Sequence, residues 1–161
     1  MSLSPRDILK YPEPELFVLG GCHIFALTLT AYFKYPLVII HSDNSSHYHV
    51  ACHPFLDEKR WIVDAYGWFT TDTYTKTGNH EGETLKFKPV PDNARDKSAF
   101  LQLENHKLIF DIDFFNEVGR RATCWIDSHF KNFDGIDATL RGPIMGYSRV
   151  QRSNDKHGAF R

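Results

Sequence analysis

The sequence predicts an α+β fold: one domain over residues 1–161, with a central helix packed on an antiparallel sheet of about four strands. Two patterns lead to this prediction. An apolar run from Cys22 to Phe33 follows a pair of glycines, and its length favours a buried helix over a strand. Short β-branched runs separated by polar turns come next, and strands joined by short connections pair antiparallel.

The strands are predicted from apolar runs that end at polar turns. Residues 37–40 suit a buried strand because they are continuously apolar and rich in β-branched side chains. Three further strands are expected, at 47–53, 61–65 and 85–88. The stretch 67–82 is rich in Thr and Gly, and we expect it to be mostly loop.

Helices are predicted towards both ends of the chain. Ser4 followed by Pro5 is typical of an N-cap and the first turn of a short helix. Residues 97–106 are expected to be helical, and the apolar stripe over 114–130 predicts a longer helix. These later helices should cover another side of the sheet. From about residue 142 the chain is polar, which indicates an irregular tail.

Composition excludes several classes of function. The net charge is −1 and Lys and Arg form no run, so the electrostatic footprint of a nucleic-acid-binding protein is missing. The most apolar stretch, 16–29, is too short to span a bilayer, and the first residues have no apolar leader. Three widely spaced cysteines predict reduced thiols rather than a disulfide framework. We therefore expect a soluble, cytoplasmic protein that binds neither nucleic acid nor membrane.

Three side chains predict a catalytic triad. Cys22 begins the central helix after Gly20 and Gly21, where the helix dipole stabilises a thiolate and the Cys22 backbone N–H can bind an oxyanion. His49, on a strand, is the candidate for taking the thiol proton. Asp64, on the neighbouring strand, is the candidate for orienting the imidazole. Both residues could instead have structural roles. The cysteine would then be a buried core thiol, and the aspartate an ordinary paired carboxylate.

Two alternatives involve the surrounding residues. His47 lies on the same strand face as His49 and is its rival as the base. A zinc site of His47, His49, Cys52 and His53 is disfavoured, because no paired Cys-x-x-Cys is present and Cys52 points to the other face of a regular strand. No metal or other cofactor is therefore expected. Cys52 and Cys124 are expected in the core.

The motifs around these residues resemble those of the papain-like superfamily. Gly-Gly-Cys at a helix start, His-Val on a strand and Val-Asp-Ala-Tyr-Gly on the next strand are similar to the transglutaminase-like and arylamine N-acetyltransferase branch, over residues 20–67. The resemblance implies a papain-like fold. It also implies that Cys22 is the nucleophile, His49 the base and Asp64 the group that orients the base.

The resemblance further implies a reaction class. A cysteine-dependent hydrolase or transferase would act on an amide or acyl carbonyl through a covalent acyl-enzyme. Amide hydrolysis, as a protease or a glutamine deamidase, is expected first, with a protein or peptide, or a small amide or acyl donor, as substrate. Transamidation and acetyl transfer are the next expectations. A binding or regulatory module with an unused triad on the same scaffold is the alternative from another class.

Overall fold

The computed structural model describes residues 4–43, 48–77, 84–93, 97, 101, 111–130, 142 and 144. The helices in this part of the chain are α1 (Pro5–Ile8), α2 (Leu16–Leu19), α3 (Cys22–Phe33), α4 (Thr71–Thr77) and α5 (Ile112–His129). The strands are β1 (Leu37–Ser42), β2 (Tyr48–Cys52), β3 (Phe55–Leu56), β4 (Lys59–Asp64), β5 (Gly67–Thr70) and β6 (Leu85–Pro89). These elements confirm the predicted α+β class and the short first helix, which Ser4 caps by accepting a hydrogen bond from the Asp7 N–H.

The sheet is antiparallel and has the strand order β3-β4-β2-β1-β6, with β5 paired to β4 as a hairpin. Ile40 lies opposite His49 across β1 and β2, and Cys52 lies opposite Val63 across β2 and β4. The two strands that carry His49 and Asp64 are therefore neighbours, as the sequence predicts.

Side chains alternate between the two faces of the sheet and form two apolar clusters. The helical face packs against α3 and consists of Leu37, Ile39, Val50, Cys52 and Val63. The opposite face consists of Val38, Ile40, Ala51, Ile62 and Phe69. Val18 from α2 and Tyr74 from α4 pack on this opposite face. The sheet is thus buried on both sides.

Helix α3 begins and ends at the predicted residues, Cys22 and Phe33. Its first turns are buried on all sides, as expected for a helix without a polar face. Gly21, just before it, lies in close contact with α2 and α5, so that a larger residue would require a neighbour to move. A Cβ atom at this position would lie 2.9 Å from Val118 Cγ1 and 3.1 Å from the Leu16 carbonyl oxygen.

Helix α5 confirms the predicted apolar stripe but not its expected location. Its buried residues are Phe114, Val118, Ala122, Trp125 and Ile126, and the Asp111 side chain caps its first turn. These residues join the cluster of the helical face and pack against α3. The expectation that the later helices cover another side of the sheet is therefore wrong for α5. Because α3 is apolar all round, it still has an apolar surface to bury after packing on the sheet.

The predicted loop over 67–82 is wrong for its first part, where β5 and α4 form. Trp68 and Phe69 are buried on opposite faces of the sheet, and this burial stabilises a strand that a composition rich in Thr and Gly disfavours. Thr70 then caps α4, because its hydroxyl accepts a hydrogen bond from the Thr73 N–H at 3.2 Å.

Two other predicted segments fall largely beyond the described residues. Of the helix expected at 97–106, only residues 97 and 101 are described. Of the tail expected from about 142, Gly142 and Ile144 are described, and both form backbone hydrogen bonds with the β4–β5 hairpin.

The close approach at Gly21 gives a prediction for stability. We expect Gly21→Ala to lower the free energy of unfolding by about 1–3 kcal/mol, because Val118 or the α2 backbone must move to admit the methyl group. Urea denaturation followed by circular dichroism measures this change.

Gly119→Ala is the matched control, because a Cβ at position 119 meets only Ile24 Cγ2 at 3.9 Å, an ordinary contact. In this helix interior, alanine should stabilise by about 0.5–1 kcal/mol. Equal effects of the two substitutions would contradict the steric explanation.

Candidate active site

His49 and Asp64 form a pair between β2 and β4, in which the carboxylate is buried and the imidazole is partly buried. His49 Nε2 lies 3.3 Å from Asp64 Oδ2, and the two side chains are 14% and 3% exposed. An ionised carboxylate only accepts hydrogen bonds, so Nε2 is the donor in the state in which Asp64 is ionised. A neutral imidazole that donates from Nε2 carries its lone pair on Nδ1. In that state the contact with Asp64 leaves Nδ1 as the acceptor of the His49 ring.

The second oxygen of Asp64 is held by the turn that follows β4. Asp64 Oδ1 accepts a hydrogen bond from the Tyr66 N–H at 2.9 Å. The turn closes at Gly67, which pairs with Asp64 and has a φ of 115°, a conformation that favours glycine. Both carboxylate oxygens are therefore bonded, as a buried charge requires.

Tyr74 covers the imidazole and was not found by sequence reasoning. Its ring centroid lies 6.4 Å from that of His49, with 20° between the ring planes, and Tyr74 is 1% exposed. Phe69 packs against Tyr74 edge-on, at 6.0 Å. The missed signal was Thr70 as an N-cap, followed by Asp72 in the first turn of a helix.

Cys22 occupies the first position of α3, where it is 1% exposed and belongs to the cluster of the helical face. His49 leaves β2 on the opposite face, together with Ala51. Helix α2, just before Cys22, contacts both clusters, because Phe17 packs in that of the helical face and Val18 in that of the opposite face. Cys22 thus follows the segment where the two clusters meet.

The C-terminal part of α3 packs near the end of β2 and the beginning of β1. Thr30, near the other end of α3, contacts Cys52 Sγ at 3.6 Å and donates to the Tyr35 carbonyl at 3.0 Å. These contacts lie where β2 ends and where the chain enters β1. Cys22 begins α3 at the end away from Thr30 and belongs to the cluster of the helical face, whereas His49 leaves β2 on the opposite face of the sheet.

The structure does not favour the zinc alternative. The Cys52 thiol bonds to the Ala26 carbonyl at 3.4 Å on the helical face, and burial raises its pKa to about 12. His53 stacks on Phe87, and burial, with a smaller contribution from Arg60, lowers its pKa to about 4. Among the described residues, no three His, Cys, Asp or Glu side chains form a group that could hold a metal ion. His47, the rival base, lies outside the described residues.

The other two cysteines differ in exposure. Cys52 is buried, as predicted, whereas the prediction that Cys124 lies in the core is wrong. Cys124 is exposed because it lies on the side of α5 away from the stripe that includes Val118 and Ala122.

No protein-family model, curated protein or solved structure matches this chain. The papain-like resemblance therefore rests on the residues that carry it. In the part of the chain that the structure describes, no helix is both long and apolar enough to cross a membrane.

His23, the residue after the candidate nucleophile, gives a prediction for pH dependence. It is 2% exposed, and burial lowers its pKa from 6.5 to about 4. Between these values the unfolded chain binds a proton that the folded protein does not, so stability falls as the pH drops. For this histidine, the loss from pH 7.5 to pH 5 should be roughly 2 kcal/mol.

His23→Phe keeps an aromatic ring and removes the titration. Urea denaturation of both proteins at the two pH values should show a smaller acid-induced loss in the variant. An identical loss in both proteins would mean that the folded protein protonates His23 as readily as the unfolded chain does.

Proposed function

We propose that this chain is a cysteine-dependent hydrolase or transferase with a papain-like catalytic arrangement. In this proposal Cys22 attacks an amide or acyl carbonyl, His49 moves the proton and Asp64 orients His49. The observation that carries the proposal is the contact between the partly buried His49 imidazole and the buried Asp64 carboxylate, 3.3 Å apart on neighbouring strands.

The free-energy cost of burying the Asp64 carboxylate supports a functional interpretation of the pair. Asp64 is 3% exposed, and removing a carboxylate from water is unfavourable even when it is paired. Apolar residues of similar size often stabilise a fold as well as a buried ion pair does. Pairs of titratable side chains that are removed from water occur preferentially at functional sites. A carboxylate that fixes an imidazole tautomer is what an acid–base catalyst needs.

The proposed reaction begins with proton transfer from the Cys22 thiol to His49 Nδ1. The thiolate then adds to the carbonyl carbon and forms a tetrahedral intermediate with a negatively charged oxygen. Backbone N–H groups in the first turn of a helix make no bonds within the helix, so the Cys22 N–H is suited to bind this oxygen. Gly21 has no side chain with which to cap that turn.

The second half of the reaction decides its class. His49 returns the proton to the leaving amine as the carbon–nitrogen bond breaks, and an acyl group remains on Cys22. Water, activated by His49, then releases a carboxylic acid, which is hydrolysis or deamidation. An amine in place of water gives transamidation or acetyl transfer. Amide hydrolysis is our first choice, because it needs no second substrate.

One observation favours a second candidate, a binding or regulatory module in which the triad is unused. Cys22 is 1% exposed and packs in an apolar cluster. A cysteine buried in apolar surroundings behaves as a small hydrophobic residue and stays protonated at neutral pH. The ionisation state of Cys22 therefore separates the two candidates.

The decisive measurement is the ultraviolet absorbance of the thiolate as a function of pH, because it needs no reagent to reach a buried thiol. Cys124→Ser provides the background, so that the exposed thiol does not contribute. Cys52 stays protonated in the relevant range, since burial raises its pKa to about 12. We expect a thiolate signal already below about pH 7.5, as for other cysteines paired with a base.

Two variants identify the source of that signal. Cys22→Ser should abolish it. His49→Gln keeps a donor for Asp64 but removes the base, and should move the signal above about pH 8. A titration at ordinary thiol pH that His49→Gln leaves unchanged would reject the catalytic proposal and favour the binding module.

A further inference from the structure

The position of the Asp64 carboxylate depends on the turn that joins β4 to β5. Asp64 Oδ1 is bonded to the Tyr66 N–H of this turn at 2.9 Å, and Asp64 Oδ2 is the atom that contacts His49. A shift of the turn would therefore move the carboxylate relative to the imidazole.

Residues far away in the sequence hold the backbone of this turn. The Trp125 indole N–H donates to the Ala65 carbonyl at 3.0 Å. The Ile144 N–H donates to the Tyr66 carbonyl at 2.9 Å, and the Trp68 N–H donates to the Gly142 carbonyl at 3.1 Å. Of these bonds, only the first is made by a side chain, so only this bond can be removed by substitution without altering the backbone.

Trp125 is itself fixed from two sides. Its ring stacks on His129, with centroids 3.8 Å apart, and it packs against Phe17 at 6.3 Å. Trp125 is 8% exposed. Phe17 belongs to α2, the helix that leads into Cys22. One indole therefore contacts both the segment before the candidate nucleophile and the turn that carries the candidate orienting carboxylate.

We propose that Trp125 is a positioning residue, whose indole N–H holds the Ala65 carbonyl and thereby keeps Asp64 in hydrogen-bonding position for His49. This inference rests on the proposed function for its catalytic consequence. The contact between His49 and Asp64, which it also concerns, is present whatever the chain catalyses.

Trp125→Phe tests the proposal, because phenylalanine keeps an aromatic ring and removes the N–H donor. Trp61→Phe is the matched control. The Trp61 indole N–H also donates to a backbone carbonyl, that of Leu56 at 3.3 Å, but this bond lies in the β3–β4 hairpin and not in the turn that follows Asp64. Both variants lose one indole hydrogen bond, that of Trp125 buried and that of Trp61 partly buried, so urea denaturation of each variant accompanies the readouts and separates a general loss of stability from a local effect.

The first readout is the nuclear magnetic resonance signal of the His49 Nε2 proton, which reports the bond to Asp64 directly. We expect Trp125→Phe to shift or broaden this signal through faster exchange with water, and Trp61→Phe to leave it as in the wild type. An unchanged signal in folded Trp125→Phe would overturn the proposal.

The second readout is the thiolate titration of Cys22, made in the Cys124→Ser background. Trp125→Phe should reduce the thiolate fraction at neutral pH by roughly three- to tenfold, the range for the loss of one hydrogen bond. If the wild type shows no thiolate at neutral pH, the proposed function fails, and the His49 signal alone decides on Trp125. If the thiolate is present and Trp125→Phe changes neither readout, only the positioning role fails.

A second variant covers the case in which Trp125→Phe does not fold. Benzothienylalanine at position 125, introduced by nonsense suppression, keeps the shape of the indole and replaces the N–H with sulfur. The same changes in both readouts are expected, and a wild-type His49 signal in this protein would reject the role of the Trp125 N–H.

Discussion

The buried carboxylate of Asp64 is the constraint on which the rest of this site depends. A carboxylate that is 3% exposed needs a hydrogen bond for each oxygen, and here His49 and the Tyr66 N–H provide them. The first bond requires β2 and β4 to be neighbours. The second requires a tight turn, which Gly67 allows.

Elements on both sides of the sheet contribute contacts near Asp64 and His49. On the helical face, α5 packs over α3 and reaches the turn after β4 through Trp125. On the opposite face, α4 places Tyr74 over the His49 ring. The residues that contact the imidazole and the turn after Asp64, Tyr74 and Trp125, thus lie outside the segment 20–67, which carries the resemblance.

Local patterns predicted most of the strands and helices because their signals are local. The apolar run gave both ends of α3, and the alternation in β4 placed Asp64 on the same face as Ile62, where it meets His49. A missed local signal, Thr70 as an N-cap, and long-range packing together account for the errors. Helix α4 depends on the capping by Thr70 and on the burial of Tyr74, and the exposure of Cys124 depends on which side of α5 meets α3. The catalytic roles of Cys22, His49 and Asp64 stay predictions.

The contact between Gly21 and Val118 links two positions that are far apart in the sequence. Because a Cβ at residue 21 would overlap Val118 Cγ1, the residue tolerated at either position depends on the residue at the other. A smaller side chain at 118 would open space for alanine at 21, whereas a larger one would push the start of α3 away from α5. In diverging relatives of this chain, these two positions should therefore vary together. The packing at the start of the helix that begins at Cys22 would depend on both residues and not on either alone.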